Sequence, residues 1–193
     1  MKCNIYDFDK TIYDGDSSLD FYLFCVKRKK YLIFNIVKVI GAYFLYFLKI
    51  KNKTYVKEVF FSFLKAFKDI DKVIKDFWYV NKKKIKQFYL EKDHHNDIIV
   101  SASPYFLLKP ITKKLKVKDL IASDVNKKNG KFIKANCKGE AKVTYLKQKY
   151  KDIKVIEVYT DSYSDQPLID LASKAYLVDK NKITKIKDLK EKK

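Results

Sequence analysis

Arginine is nearly missing from this chain. Arg28 is the only one, although lysine and arginine together number 43 against 23 acids, a formal net charge of +20. A charge of that size attracts nucleic acid, anionic lipid or phosphorylated ligands. Proteins that read bases or hold phosphate in a fixed geometry favour the guanidinium fork, so base-specific nucleic-acid recognition is not expected. The lysines are spread along the whole chain, as on a solvated surface. Cysteine is scarce too: Cys3, Cys25 and Cys137 are odd in number and form no CxxC, so neither a disulfide framework nor a zinc site is suggested. They fit a reducing cytoplasm, and Cys3, at the start of an apolar run, is expected to be buried. The only histidines, His94 and His95, are adjacent. On an extended segment they would face opposite ways, and they read as surface-loop residues. No cleavable leader is expected, because the N-terminus runs straight into an acidic motif.

What is present is enough for one core with a modest insertion. The chain has 193 residues, of which 47% are hydrophobic and 34% charged. Apolar runs at 2–6 (KCNIY), 96–103 (NDIIVSAS), 153–165 (IKVIEVYTDSYSD) and 174–178 (KAYLV) read as strands. The first three end in Asp or Ser and lead into loop or helix. That repetition predicts parallel βα units with active groups at the carboxyl ends of the strands, an α/β Rossmann-like fold. Residues 55–67 and 71–90 repeat apolar positions at helical spacing. They predict an all-helical insertion over 15–90, placed as a cap above a core formed by 1–14 and 91–193. Asn129-Gly130 predicts a small β-hairpin within 120–137. The lysine-rich C-terminus is expected to be a short surface element and a frayed tail.

Against this basic background, Asp7, Asp9, Asp14, Asp16 and Asp20 crowd together. Asp7 and Asp9 flank Phe8, and two ionised carboxylates so close repel unless a cation lies between them. Hard oxygen ligands of this kind suit Mg²⁺. Asp161 and Asp165 close a later strand. If the two strands are neighbours, four carboxylates converge, Ser101 arrives from a third strand, and Lys142 is the candidate to balance anionic substrate charge.

The ordered set NIYDFDKT, Ser101 in IIVSAS, Lys142 in NCKGEAKV, and Asp161 with Asp165 in DSYSDQPLIDLA resembles the haloacid dehalogenase (HAD) superfamily, in its phosphoserine-phosphatase-like branch with a helical cap. The resemblance implies a Mg²⁺-dependent phosphomonoester hydrolase acting on a phosphorylated small molecule. It makes Asp7 the nucleophile and Asp9 the acid and then the base. It places Mg²⁺ on Asp7, the Asp9 carbonyl and Asp161, with Asp165 supporting the metal waters or holding Lys142. Ser101, Ala102 and Lys142 would receive the phosphate, and Thr11 would steady the loop. Asp14 and Asp16 are expected at the junction to the cap, in hinge, capping or specificity roles.

Two local features complete the reading. In SASP, Ser103 fits a helix N-cap and Pro104 the first helical turn. Residues 31–48 form a long apolar stretch between lysines, interrupted by Asn35, Lys38 and Gly41. It is expected to be a cap helix packed on its neighbours; the other readings are an interfacial helix on anionic lipid or a dimer face. The lipid reading carries a second enzyme class, a membrane-surface lipid-phosphate phosphatase of the phosphatidylglycerophosphatase type. The rival outside enzymes is a basic nucleic-acid-binding protein without catalysis.

Overall fold

The structure is a computed structural model and describes residues 1–188. In chain order its elements are β1 (Lys2–Tyr6), α1 (Ser17–Arg28), α2 (Asn35–Phe47), α3 (Lys53–Phe61), α4 (Ile70–Asn81), α5 (Gln87–Leu90), β2 (Asp97–Pro104), α6 (Tyr105–Lys114), β3 (Asp119–Ser123), α7 (Glu140–Lys149), β4 (Lys154–Thr160), α8 (Gln166–Leu171), β5 (Ala172–Asp179) and β6 (Lys182–Asp188). Six strands form one sheet in the order β3-β2-β1-β4-β5-β6. All neighbours are parallel except β5 and β6. This is the expected α/β architecture.

The apolar runs explain the sheet. β1 buries Cys3, Ile5 and Tyr6, and β2 buries Ile98, Ile99 and Val100. Both are covered on their two faces, as central parallel strands must be. β1 lies between β2 and β4, with Tyr6 level with Ile99 on one side and Tyr159 on the other. The chain leaves β1 toward β2 and returns later to β4. The crevice at that switch point is where an α/β sheet binds its ligand.

Everything helical between β1 and β2 falls within 17–90. Its core is aromatic: Phe21, Phe63, Phe77 and Trp78 are buried together, with Phe77 edge-on to Phe21 and to Trp78. The expected helix over 71–90 is broken. After α4 the chain turns out, and Ile85 forms an antiparallel bridge with Tyr13. Lys84 O accepts from Asp14 N at 2.8 Å, and Lys86 N donates to Ile12 O at 2.8 Å. The way out of the helical segment is thus tied to the way in. Lys86 is itself buried, its ammonium donating to the carbonyls of Lys10 and Lys180.

Three further expectations change. The hairpin over 120–137 shrinks to a single bridge, Val125 with Phe132, because its first flank is claimed by β3 as an edge strand of the main sheet. Gly130 still makes the turn, at φ +78°. It must be glycine, because a Cβ would stand 2.5 Å from Phe61 O and L side chains avoid that backbone region. The C-terminal surface element, as expected, is present as the edge strand β6, antiparallel to β5; the frayed tail lies outside the described residues. His94 is buried, bonded to Asp97 at 3.0 Å and stacked on Tyr89, while His95 is exposed as expected. Finally, α2 does not pack as a core helix: it buries only Asn35 and Ala42. All three cysteines are free and buried.

Candidate active site

β1 delivers Asp7 to the carboxyl end of the sheet. Its backbone N–H still donates to Tyr159 O at 2.9 Å, so the residue is held in register with β4. Immediately beyond, the chain folds back tightly. Ile12 N and Tyr13 N both donate to Phe8 O, and Lys10 takes the left-handed conformation at φ 59°. Phe8 is fully buried beneath this turn, which points Asp7 and Asp9 the other way, into a cavity of about 570 Å³.

Lys142, in the first turn of α7, enters the same cavity. Its ammonium lies 2.7 Å from Asp7 Oδ1 and 2.7 Å from Asp165 Oδ2. Burial pulls Lys142 toward neutrality, but the two carboxylates outweigh it and hold the ammonium protonated above its usual range. Burial likewise pushes Asp7 toward the neutral acid and raises its carboxyl above the usual range, against the attraction of Lys142 and with repulsion from Asp165 added. Thr160, the last residue of β4, donates to Asp165 at 2.9 Å and fixes that carboxylate beside the lysine.

Asp9 is placed differently. Ser17 N donates to its Oδ1 at 2.7 Å, and Ser103 Oγ donates to its Oδ2 at 2.5 Å. Burial, then the charge of Asp16, push its carboxyl up to about 6 in spite of these bonds. Ser103 therefore does not cap α6, as SASP suggested. Pro104 closes β2 and occupies the cap position instead, with no side-chain cap bond. Ser17 and Ser18, at the start of α1, reach the same Ser103 hydroxyl, so the entrance to the helical segment is fastened to the Asp9 site.

Ser101 and Ala102, from β2, line the cavity, as does Asp161 beyond β4. Asp161 is half-buried, and burial raises its carboxyl above the usual range. Thr11 is fully buried and lies away from the cavity lining, with no hydrogen-bond partner for its hydroxyl among the described residues. A phosphate contact from Thr11 is not part of this geometry. The remaining acids of the opening cluster divide their work. Asp16 lines the cavity and caps α1, accepting from Leu19 N at 2.9 Å. Asp20 accepts from Tyr13 and Lys84, and Asp14 is exposed.

The four-carboxylate convergence is only partly formed. Asp165 is held by Lys142 and Thr160, and the Asp9 carboxylate is turned to serines. Among the described residues, no three acidic, histidine or cysteine side chains gather to hold an ion unaided. Mg²⁺ does not need such a cage: it keeps several waters and takes substrate oxygens. Asp7 and Asp161 line one cavity, and among the described residues no lysine or arginine pairs with Asp161. The second oxygen of Asp7 and the carboxylate of Asp161, facing one cavity, are a hard-oxygen donor set that fits the ion.

The helical segment supplies a wall that the motifs did not reveal. Lys57 of α3 and Lys138 from the loop before α7 stand across the cavity, with Val56, Phe60 and Phe61 as apolar neighbours. Lys57 donates to Asn136 at 3.1 Å. Burial, then Lys138 and Lys53, pull its ammonium down to about 8. In the sequence Lys57 is one polar position of an amphipathic helix in a chain full of lysines, and nothing local marks it.

Residues 5–170 match the family model of the haloacid dehalogenase-like hydrolases. The chain belongs to that family. No curated protein matches it. Among solved structures, this haloacid dehalogenase-like hydrolase resembles a Bordetella pertussis Tohama I protein of unknown function, with TM-score 0.70 and 18% identity over 90% of this chain and 88% of that one. It also resembles a phosphoserine phosphohydrolase-like protein from Francisella tularensis, with TM-score 0.57 and 17% identity over 91% and 86% of the two chains. A HAD family hydrolase from Salmonella enterica serovar Typhi follows at TM-score 0.53 and 11% identity, covering 89% of this chain and 60% of that one. These likenesses are of fold.

Proposed function

We propose that this hydrolase cleaves phosphomonoesters through an aspartyl-phosphate on Asp7. The observation that carries the reading is the pairing at the end of β1: Asp7 with Lys142 on one oxygen, and a hydrogen-bonded Asp9 two residues on. A carboxylate oxygen of Asp7 attacks phosphorus while the bond from phosphorus to the ester oxygen breaks. Asp9 gives its proton to the departing alkoxide, and the alcohol leaves. Asp9, now ionised, takes a proton from water as the water oxygen attacks the phosphoaspartate. The acyl phosphate bond breaks, Asp7 is restored and inorganic phosphate departs.

Lys142 holds positive charge against the transferring oxygens throughout, and Ser101 donates to one of them. Ala102 lends its backbone beside Ser101. Mg²⁺ would be held by Asp7, the Asp9 carbonyl and Asp161, and when bound it supplies Lewis-acid stabilisation of charge on the phosphoryl oxygens. Asp165 positions Lys142. Residues 15–90 act as the cap, and its Lys57, with Lys138, favours a substrate bearing a second anionic group, a small phosphorylated metabolite. The apolar part of the wall, Val39, Tyr43 and Phe60, favours as a second reading a phosphorylated lipid headgroup with some chain attached.

The test is a phosphate-release screen over sugar phosphates, phosphoamino acids, nucleotides and lipid phosphates. Turnover should appear with Mg²⁺ and vanish with EDTA. Release of no phosphate from any class with Mg²⁺ present would reject the reading.

A further inference from the structure

We infer that the outer face of α2 is a docking surface for an anionic lipid bilayer. The helix is inside out for a water-soluble protein. Its buried seam carries Asn35 and Ala42, while Val37, Ile40, Phe44 and Phe47 stand on the outside at 67%, 63%, 62% and 82% exposure. Phe34 before it and Ile50 after it extend the same apolar surface, at 69% and 62% exposed. A contiguous patch of this kind marks an interaction site rather than ordinary surface.

The orientation is fixed by bonds, not by chance packing. Asn35 donates to Phe60 O at 3.0 Å and accepts from Ser62 Oγ at 3.0 Å. Turning the greasy face inward would break both. The outward face is therefore the native state of this helix.

Charge identifies the occupant. From Phe21 to Lys57 there is no aspartate or glutamate, while Lys27, Arg28, Lys29, Lys30, Lys38, Lys49, Lys51, Lys53 and Lys57 give nine basic residues. Arg28 is paired with Asp76; among the described residues Lys30, Lys38, Lys49 and Lys53 form no ion pair. An apolar face on a stretch with nine basic residues and no acid complements a bilayer rich in anionic headgroups. A second copy of the chain would set the same cations against one another. Nucleic acid would match the charge but leave the aromatic and aliphatic face uncovered.

The helix lies on the surface and does not cross it. Lys30–Phe47 is long and apolar enough to span by composition. Spanning would bury Lys38 at mid-helix and pull Asn35 from Phe60 and Ser62. Resting on the interface keeps those bonds and lets Lys38 reach the headgroups. Because α2 also borders the catalytic cavity through Val39 and Tyr43, docking would hold that cavity close to the lipid surface.

The test is flotation of the 193-residue chain with vesicles of phosphatidylcholine alone, or with about one third phosphatidylglycerol, in about 0.1 M salt. The protein should float with the anionic vesicles, and about 0.5 M salt should weaken the association several-fold. The Val37→Glu/Phe47→Glu double variant should lower the bound fraction about tenfold, with an unchanged circular dichroism spectrum. Binding by Asp7→Asn should match the unmutated chain, so the result stands apart from the catalytic reading. Docking is overturned if the chain ignores all vesicles, or if the double variant floats as well as the parent. It is overturned equally if light scattering finds a dimer that the double variant dissolves, or if the chain shifts a DNA duplex while leaving vesicles alone.

Discussion

Lys142 reaches Asp7 from 135 residues away and places its ammonium 2.7 Å from Oδ1, with Asp165 at the same distance on its other side. One cation holds two carboxylates at the point where β1 and β4 end. The lysine is 3% exposed, so neither acid has bulk water to take its place. The arrangement aims Asp7 at the cavity, and the ammonium opposes, without cancelling, the burial that favours its neutral form.

Removing that cation should be costly. In Lys142→Met the two carboxylates face each other unneutralised, and breaking a buried ion pair from one side typically costs about 3–5 kcal/mol. Urea unfolding should show a lower midpoint with an unchanged slope, together with loss of phosphatase turnover. Full stability in the variant would mean that Lys142 does not carry the charge balance described here.

Ser103 is a positioning residue for Asp9. Hydrogen bonds to charged groups contribute about 1.5–3 kcal/mol, and about 1.4 kcal/mol is a tenfold rate. Ser103→Ala should therefore lower kcat about tenfold or more, with KM little changed, and Ser103→Thr should restore part of the loss. A rise in KM alone would assign Ser103 to substrate binding instead.

Lys57 gives the helical segment a pH signature. Its folded pKa of about 8 lies below the ordinary 10.5, so the fold disfavours the charged form. This group's contribution to stability is present above pH 10.5 and is lost as the pH falls through 8. Lys57→Gln should thus melt higher than the parent at pH 7, with the gain shrinking toward pH 10.5. For a substrate with a second anionic group, the parent's KM should climb as the pH passes 8, and the variant's should already be high. Identical melting curves at pH 7 would contradict the assigned environment of Lys57.

Much of the core was legible in the sequence because the chemistry and the period agree. Buried parallel strands need unbroken apolar runs, and their carboxyl ends carry the polar groups. So β1, β2 and β4 announced both themselves and Asp7, Ser101 and Asp161. Lys142 was legible only through the motif order, since one lysine among so many has no local mark. What failed to show was tertiary. β3 looked like half a hairpin because its flank and its turn are both genuine, and only the neighbouring β2 decides that it joins the sheet. The helix expected over 71–90 ends at Asn81 because Tyr13 and Ile12, far away in sequence, offer Ile85 and Lys86 better partners. Ser103 fits an N-cap by residue type, but Asp9 competes for the same hydroxyl and wins. The outward turn of α2 was not readable from its composition, because a greasy core helix and a greasy surface helix have the same letters. Asn35 and its bonds to Phe60 and Ser62 make the difference.

The most direct measurement is phosphate release by the purified chain and its Asp7→Asn variant, with Mg²⁺, on whichever phosphomonoester turns over fastest. Asp7→Asn should lose activity by about a thousandfold or more and keep the parent's circular dichroism spectrum and melting temperature. Turnover near the parent's rate in a well-folded variant would contradict Asp7 as the residue that receives the phosphoryl group.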